Sequence, residues 1–197
     1  MILYNTPIRL IALWLLYDCK PIKVTYNFAF HANLRIFALL LSTYDSFTND
    51  MENSTRIMNS AADNIRILAA AMVEKAKSGH PGGAMGGADF INVLYSEYLV
   101  FDPERPTWEC RDRFFLDPGH MSPMLYAQLA LIGRFSIEEL QQFRQWGSPT
   151  PGHPEVNFER GIENTSGPLG QGHTYAVGAA IAAKALYART GNPGFKR

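Results

Sequence analysis

Four of the five histidines in the chain directly follow a glycine, and two of these four are also followed at once by proline. The four histidines are His80, His120, His153 and His173, and the prolines are Pro81 and Pro154. Glycine reaches backbone angles that are closed to other residues, and proline pushes the preceding residue into an extended conformation. An imidazole on such a turn donates or accepts a proton near neutral pH. The pattern therefore predicts a cleft lined by several imidazoles of fixed direction.

A second candidate site is the glycine-rich segment of residues 167–172, which precedes a predicted helix. The free amides and positive dipole end of a helix N-terminus suit an anion or a polar edge of a cofactor. The segment matches neither a P-loop nor the GxGxxG pattern, so a simple loop-to-helix junction is the alternative. The histidines show no HExxH and no pair four residues apart, so their spacing does not support a zinc site.

The first half of the chain must position these turns with helices. Apolar residues recur at three- and four-residue steps over residues 56–77, which predicts an amphipathic helix. Asn53 or Ser54 is its predicted N-cap. The glycines of residues 79–87 predict a turn, and a second helix is predicted over residues 88–98.

The second half alternates predicted helices with loops. The apolar run 113–116 predicts a short buried strand, and residues 124–132 predict a helix. Residues 136–139 form a capping box, which predicts a helix toward Trp146. A long loop over residues 148–170 is followed by a last helix, which begins near Leu169 and ends before Gly191. Together these elements predict an α/β fold, with helices around the start of a parallel sheet.

Charge and cysteine content exclude several classes of protein. The chain has 197 residues, with 18 lysines and arginines against 18 aspartates and glutamates, and it has no long basic run. We therefore expect no nucleic-acid partner. Cys19 and Cys110 form neither a CxxC nor a zinc-finger spacing, which indicates a reducing compartment, and we expect a cytoplasmic protein.

Residues 1–50 differ from the rest of the chain. Their apolar runs, residues 8–17 and 28–44, are shorter than the roughly 20 residues of a membrane span, and we expect no membrane association. We interpret residues 1–50 as an apolar extension outside the domain, and residues 51–197 as the domain. A targeting segment is the alternative, although no small-residue cleavage site follows residues 10–16.

Four motifs, taken in order, resemble the N-terminal segment of the transketolase family. They are KSGHPG at 77–82, DRF at 112–114 with GH at 119–120, TPGHPE at 150–155, and GIE at 161–163 with GPLGQG at 167–172. The resemblance runs from about Met51 to the end of the chain. It implies part of a thiamine-diphosphate-binding domain in an enzyme of the pentose phosphate pathway. Such an enzyme transfers a two-carbon ketol unit from a ketose phosphate to an aldose phosphate.

The resemblance also implies a role for each matched residue. His80 and His153 would bind the sugar hydroxyls and carbonyl oxygen, and His80 would assist proton transfer as the catalytic residue. His120 would contact the cofactor near its diphosphate. The cofactor ring contacts would be Gly167, Pro168 and Leu169, with the Gly167 carbonyl accepting from the aminopyrimidine. His173 lies outside these roles, and we interpret it as a capping or solvent-exposed residue.

The family's magnesium motif, Gly-Asp-Gly followed by asparagine, does not occur in the sequence. We therefore expect no metal ligand in this chain, Mg²⁺ ligands beyond it, and a truncated transketolase that is inactive alone. The family implies a homodimer that acts on sugar phosphates. The alternatives are a related thiamine-diphosphate synthase, although the known cousin lacks TPGHPE, the first subunit of a split transketolase, and a non-catalytic remnant or partner of a full-length protein.

Overall fold

Helix α1, Leu34–Ala76, is the longest element of the computed structural model, which describes residues 34–195 and, inside this helix, side chains from Met51 onward. No glycine or proline interrupts its 43 residues, so nothing in the sequence stops the helix at Met51. The helix predicted over residues 56–77 is confirmed as the second half of α1. The predicted N-cap is wrong, because Asn53 and Ser54 both lie inside the helix.

One face of α1 forms part of the core. Its buried side chains are those that the periodicity selects: Ala62, Ile65, Ala69 and Met72. They pack against helices α2 (Pro81–Gly86), α3 (Ala88–Val93) and α4 (Ser122–Leu131). Full burial of a large apolar side chain contributes about 1.5–3 kcal/mol. The same face therefore holds the helix on which the first histidine turn is built.

The predicted turn over residues 79–87 is wrong, since most of it forms helix α2. Glycine is a poor helix former, and tertiary packing compensates for its weak propensity here. A methyl group built on Gly83 would lie 3.0 Å from Met121 Cγ, and one on Gly87 would lie 2.5 Å from Met124 Sδ. The glycines thus let α2 approach the start of α4 closely. The second predicted helix is present as α3 followed by one π-helical turn, Leu94–Tyr98.

Residues 113–116 are extended but do not pair as a strand, and an isolated bridge between Asn157 and Ile162 is the only β-pairing within residues 34–195. Leu116 is buried, and the side-chain amide of Asn164 takes the place of a neighbouring strand. Leu116 N donates to Asn164 Oδ1 at 3.0 Å, and Asn164 Nδ2 donates to Leu116 O at 3.2 Å. The described part of the chain is therefore helical, without the predicted sheet.

Two further helices complete the described chain. Helix α5, Ile137–Leu140, begins with the predicted capping box, in which Ser136 Oγ accepts from Glu139 N and Glu139 Oε2 accepts from Ser136 N. It ends at Leu140, so the prediction that it extends toward Trp146 is wrong. Helix α6, Gln171–Thr190, ends at Gly191 in the left-handed conformation, as predicted. None of the helices described between residues 34 and 195 is long and apolar enough to cross a membrane.

Candidate functional site

His80 lies at the junction between α1 and α2. Its backbone is extended, with φ −125° and ψ 96°, as the following Pro81 requires. The preceding Gly79 has φ +134°, a conformation open to glycine, and it packs against Val73 and Phe143. The exposed His80 ring is therefore aimed by a rigid turn rather than by its own contacts with the core.

His120 lies on the 3₁₀ turn Gly119–Met121 that leads into α4. Its ring contacts the ring of His80, with centroids 4.8 Å apart and planes inclined at 58°. Because α2 packs against this turn, two histidines that are 40 positions apart in the sequence meet at one place. Two of the three predicted site histidines are thus in direct contact.

The loop that carries His153 is tied to α4 by two hydroxyl groups. Ser122 Oγ donates to the Gly152 carbonyl at 2.7 Å, and Tyr126 Oη donates to the Pro151 carbonyl at 2.9 Å. Ser122 and Tyr126 are four residues apart, so both side chains project from the same face of the helix. The same helix whose first turn carries His120 therefore also holds the His153 loop.

His153 lies within electrostatic reach of the other two imidazoles. Its pKa is lowered from the ordinary value, first by partial removal from water and then by the positive charge of Arg144 and by His120 and His80. A lowered pKa keeps the ring neutral at pH 7, with one nitrogen that donates and one that accepts a hydrogen bond. The structure thus brings His80, His120 and His153 together.

The glycine-rich turn adjoins His120. A methyl group built on Gly119 would lie 2.3 Å from Ser166 Oγ and 3.1 Å from Gly167 N, so the two segments are in close contact. Pro168 and Leu169 are exposed, and a methyl group built on Gly167 would meet no atom within 4 Å. This turn therefore presents an open surface beside the histidines.

His173 lies apart in character from the other three. It is in the first turn of α6, its side chain is 81% exposed, and its Nδ1 pairs with the carboxylate of Asp117. Asp117 also accepts a hydrogen bond from Gly170 N at 3.2 Å. This pairing joins the start of α6 to the segment before His120.

A cleft of about 890 Å³ opens on the side of His153. Ser78, Arg144, Trp146 and Gly152 are among the residues that line it. Its volume falls within the range that is typical of small-molecule sites. Within residues 34–195, no cluster of three or more histidine, cysteine, aspartate or glutamate side chains could hold a metal ion.

Sequence reasoning missed three residues that shape this site: Ser122, Tyr126 and Arg144. The four-residue spacing of the two hydroxyls on a predicted helix was a usable signal. Arg144 had none, because its partners Ser78 and Gly152 lie on other segments of the chain.

Comparisons with known proteins agree on one family. The family model of the transketolase thiamine diphosphate binding domain matches residues 57–197. Transketolase-1 of Arabidopsis thaliana chloroplasts is 52% identical over 149 residues, which are 74% of this chain and 20% of that protein. Transketolase 1 of Escherichia coli is 52% identical over 134 residues, which are 68% of this chain and 20% of that protein. The chain thus spans about a fifth of the length of the curated relatives it matches.

Solved structures give the same result. Transketolase from Leishmania mexicana superposes with a TM-score of 0.66 at 45% identity, covering 70% of this chain and 21% of that one. Transketolase from Campylobacter jejuni superposes with a TM-score of 0.61 at 45% identity, covering 67% of this chain and 21% of that one. The chain therefore belongs to the transketolase family, whose thiamine diphosphate binding domain it matches over residues 57–197.

Proposed function

We propose that this chain forms one wall of the active site of a transketolase. The complete protein would transfer a two-carbon ketol unit from a ketose phosphate to an aldose phosphate. The observation that carries the proposal is the convergence of His80, His120 and His153 beside the turn at Gly167. Imidazoles that are grouped in this way suit a substrate with several hydroxyls and a carbonyl.

The described residues fit the organic part of thiamine diphosphate. The space above Gly167 and the exposed Pro168 and Leu169 leave an open surface on which its two rings could lie. The Gly167 carbonyl would accept from the exocyclic amine, and His120 would contact the diphosphate. When bound, the cofactor supplies a nucleophilic carbon and an electron sink.

His80 and His153 would act on the sugar. His153, neutral because its pKa is lowered, can accept a hydrogen bond from one hydroxyl and donate one to a neighbouring oxygen. His80 would do the same and also move a proton to or from the substrate oxygen at the bond that breaks. A positioned acid or base of this kind contributes typically about 10²–10⁴-fold to a rate.

Other features of the complete protein belong to the same proposal. We propose that residues outside 34–195 bind Mg²⁺ through oxygen ligands and that the extended residues 113–116 join a parallel sheet. We further propose a homodimer that acts on sugar phosphates in a reducing compartment such as the cytoplasm. The support for these features is the family resemblance and the charge and cysteine pattern.

A chimaera tests the activity. Residues 57–195 of this chain would replace the matching segment of the Escherichia coli Transketolase 1, and ketol transfer would be measured with thiamine diphosphate and Mg²⁺. We expect activity in the chimaera and none in the 197-residue chain alone. A folded chimaera that binds the cofactor but transfers no ketol unit would contradict the proposal, and so would transfer by the chain alone.

Histidine variants of the chimaera assign the roles. His80→Ala should lower kcat by about 10²-fold or more, and His153→Ala should mainly raise KM for the ketose. His120→Ala should weaken binding of thiamine diphosphate. His173→Ala is the matched control, because this exposed histidine pairs with Asp117 and should leave all three quantities unchanged. Equal losses in the control and in His80→Ala would refute the assignment.

A further inference from the structure

Arg144 joins the two turns that carry His80 and His153. Its Nη1 donates to Ser78 Oγ at 2.8 Å, two residues before His80. A methyl group built on Gly152 would lie 2.7 Å from Arg144 Nε and 3.0 Å from its Cζ. The guanidinium group therefore lies flat against the glycine that precedes His153, which explains why this position is a glycine.

The backbone of Arg144 is held as firmly as its side chain. Its φ of +62° is left-handed, which is uncommon for any residue other than glycine. Its N–H donates to the Thr150 carbonyl at 3.0 Å, so the left-handed turn faces the His153 loop. Conformations of this kind persist where the surrounding structure requires them, and they cluster at functional sites.

The neighbouring residue extends the same junction. Phe143 is buried and packs against Gly79, and the guanidinium carbon of Arg144 lies 5.6 Å from the centre of its ring. Arg144 Nε is buried without a hydrogen-bond partner in the described part of the chain. An arginine that is placed without full hydrogen bonding is retained for its shape and charge, since burial of an unpaired donor is unfavourable.

We propose that Arg144 is a positioning residue, which holds the turn of His153 against the turn of His80 and keeps a positive charge beside the His153 ring. The inference rests on the proposed function, because it assigns these two histidines a common task. The charged and titratable groups near His153 are Arg144, His120, His80 and Glu155, which lines the same cleft. Among the causes that lower the pKa of His153, the charge of Arg144 follows partial burial directly.

Histidine NMR on the 197-residue chain tests the proposal without cofactor or sugar. Ring resonances of a ¹⁵N-labelled sample would be followed against pH in wild type and in Arg144→Gln and Arg144→Lys. We expect an upward shift of the His153 pKa in Arg144→Gln and a pKa that stays low in Arg144→Lys, which keeps the charge. An unchanged His153 pKa in Arg144→Gln would overturn the electrostatic part.

Ser78→Ala tests the mechanical link, since it removes the hydrogen bond and leaves the charge. We expect it to shift the ring resonances of His153, 75 positions away, in wild type but to add nothing in the Arg144→Gln background. Unchanged His153 resonances in folded Ser78→Ala would overturn the positioning role. This variant and Arg144→Lys still decide the question if circular dichroism shows that Arg144→Gln is unfolded.

Arg56→Gln is the matched control. It removes the same charge from an exposed site on α1, where Arg56 makes only a 3.5 Å contact with Asn53. His153 should titrate in this variant as in wild type, and an equal shift in both arginine variants would refute a specific role of Arg144. Because ketol transfer is not measured, failure here leaves the chimaera result standing, and an inactive chimaera leaves this result standing.

Discussion

Replacing Tyr126 by phenylalanine should break one of the two hydrogen bonds that hold the His153 loop to α4. Burial, reinforced by the charge of Glu155, raises the pKa of Tyr126 well above its ordinary value, so the hydroxyl keeps its proton and donates to the Pro151 carbonyl. The ring is fully buried and packs against Phe135 and Phe143 with centroids 5.5 and 6.3 Å apart. Phenylalanine preserves these contacts, so the loss is confined to the hydrogen bond.

The expected magnitude follows from that single bond. A net hydrogen bond contributes about 1 kcal/mol to the free energy of unfolding. With a urea dependence of about 2 kcal/mol per molar, the unfolding midpoint should fall by about 0.5 M. Removing the second bond as well, in Ser122→Ala with Tyr126→Phe, should lower the free energy of unfolding by about 2 kcal/mol.

Urea unfolding and amide hydrogen exchange measure the two consequences. Amides of residues 148–154 should exchange faster in Tyr126→Phe, while those in the middle of α4 should change little. Tyr95→Phe is the matched control, because this buried hydroxyl has no hydrogen bond to any residue of the described chain, and it should cost less than about 0.5 kcal/mol. If the two tyrosine variants lose equal stability, or if exchange rises elsewhere first, the reasoning is wrong.

Three further outcomes are expected from urea unfolding. Ser136→Ala removes the capping box of α5 and should lower the free energy of unfolding by about 1 kcal/mol; no loss would contradict the cap. Within α6, Gly178→Ala has open space and should stabilise by about 0.5–1 kcal/mol, whereas Gly172→Ala would place a methyl group 2.6 Å from Leu116 O and should destabilise; changes of the same sign would refute the packing. The pKa of His153 is lower in the folded than in the unfolded chain, so the unfolded chain binds the proton first. Stability should therefore fall as the pH drops through about 6.5, and His153→Gln should lose part of that fall; identical pH profiles would exclude the effect.

Features that depend on neighbours in the sequence could be predicted. The extended backbone of His80 follows from the proline after it, and the capping box follows from the spacing of Ser136 and Glu139. Helix α6 ends at Gly191 for the same kind of local reason. The grouping of the site histidines was predicted as a cleft, but the contact between two rings required the packing of α2 on the turn before α4.

Features that depend on distant partners could not be predicted. The glycine-rich residues 81–86 form a helix because methionines from the start of α4 pack against them, which local propensity does not show. The extended Leu116 is satisfied by Asn164, 48 positions later, instead of by a neighbouring strand. Arg144 and Ser78 are 66 positions apart, and no spacing rule connects them.

Helix α4 determines the arrangement of the site more than any other described element. His120 lies on the turn that begins it, and the hydroxyls of Ser122 and Tyr126 hold the loop of His153. The helix α2 that follows His80 packs against the same end of α4. Because all three histidine turns meet at this helix, a small displacement of its first turn would move the three imidazoles together. The buried hydroxyls of α4 therefore contribute to the geometry of the site although neither carries out chemistry.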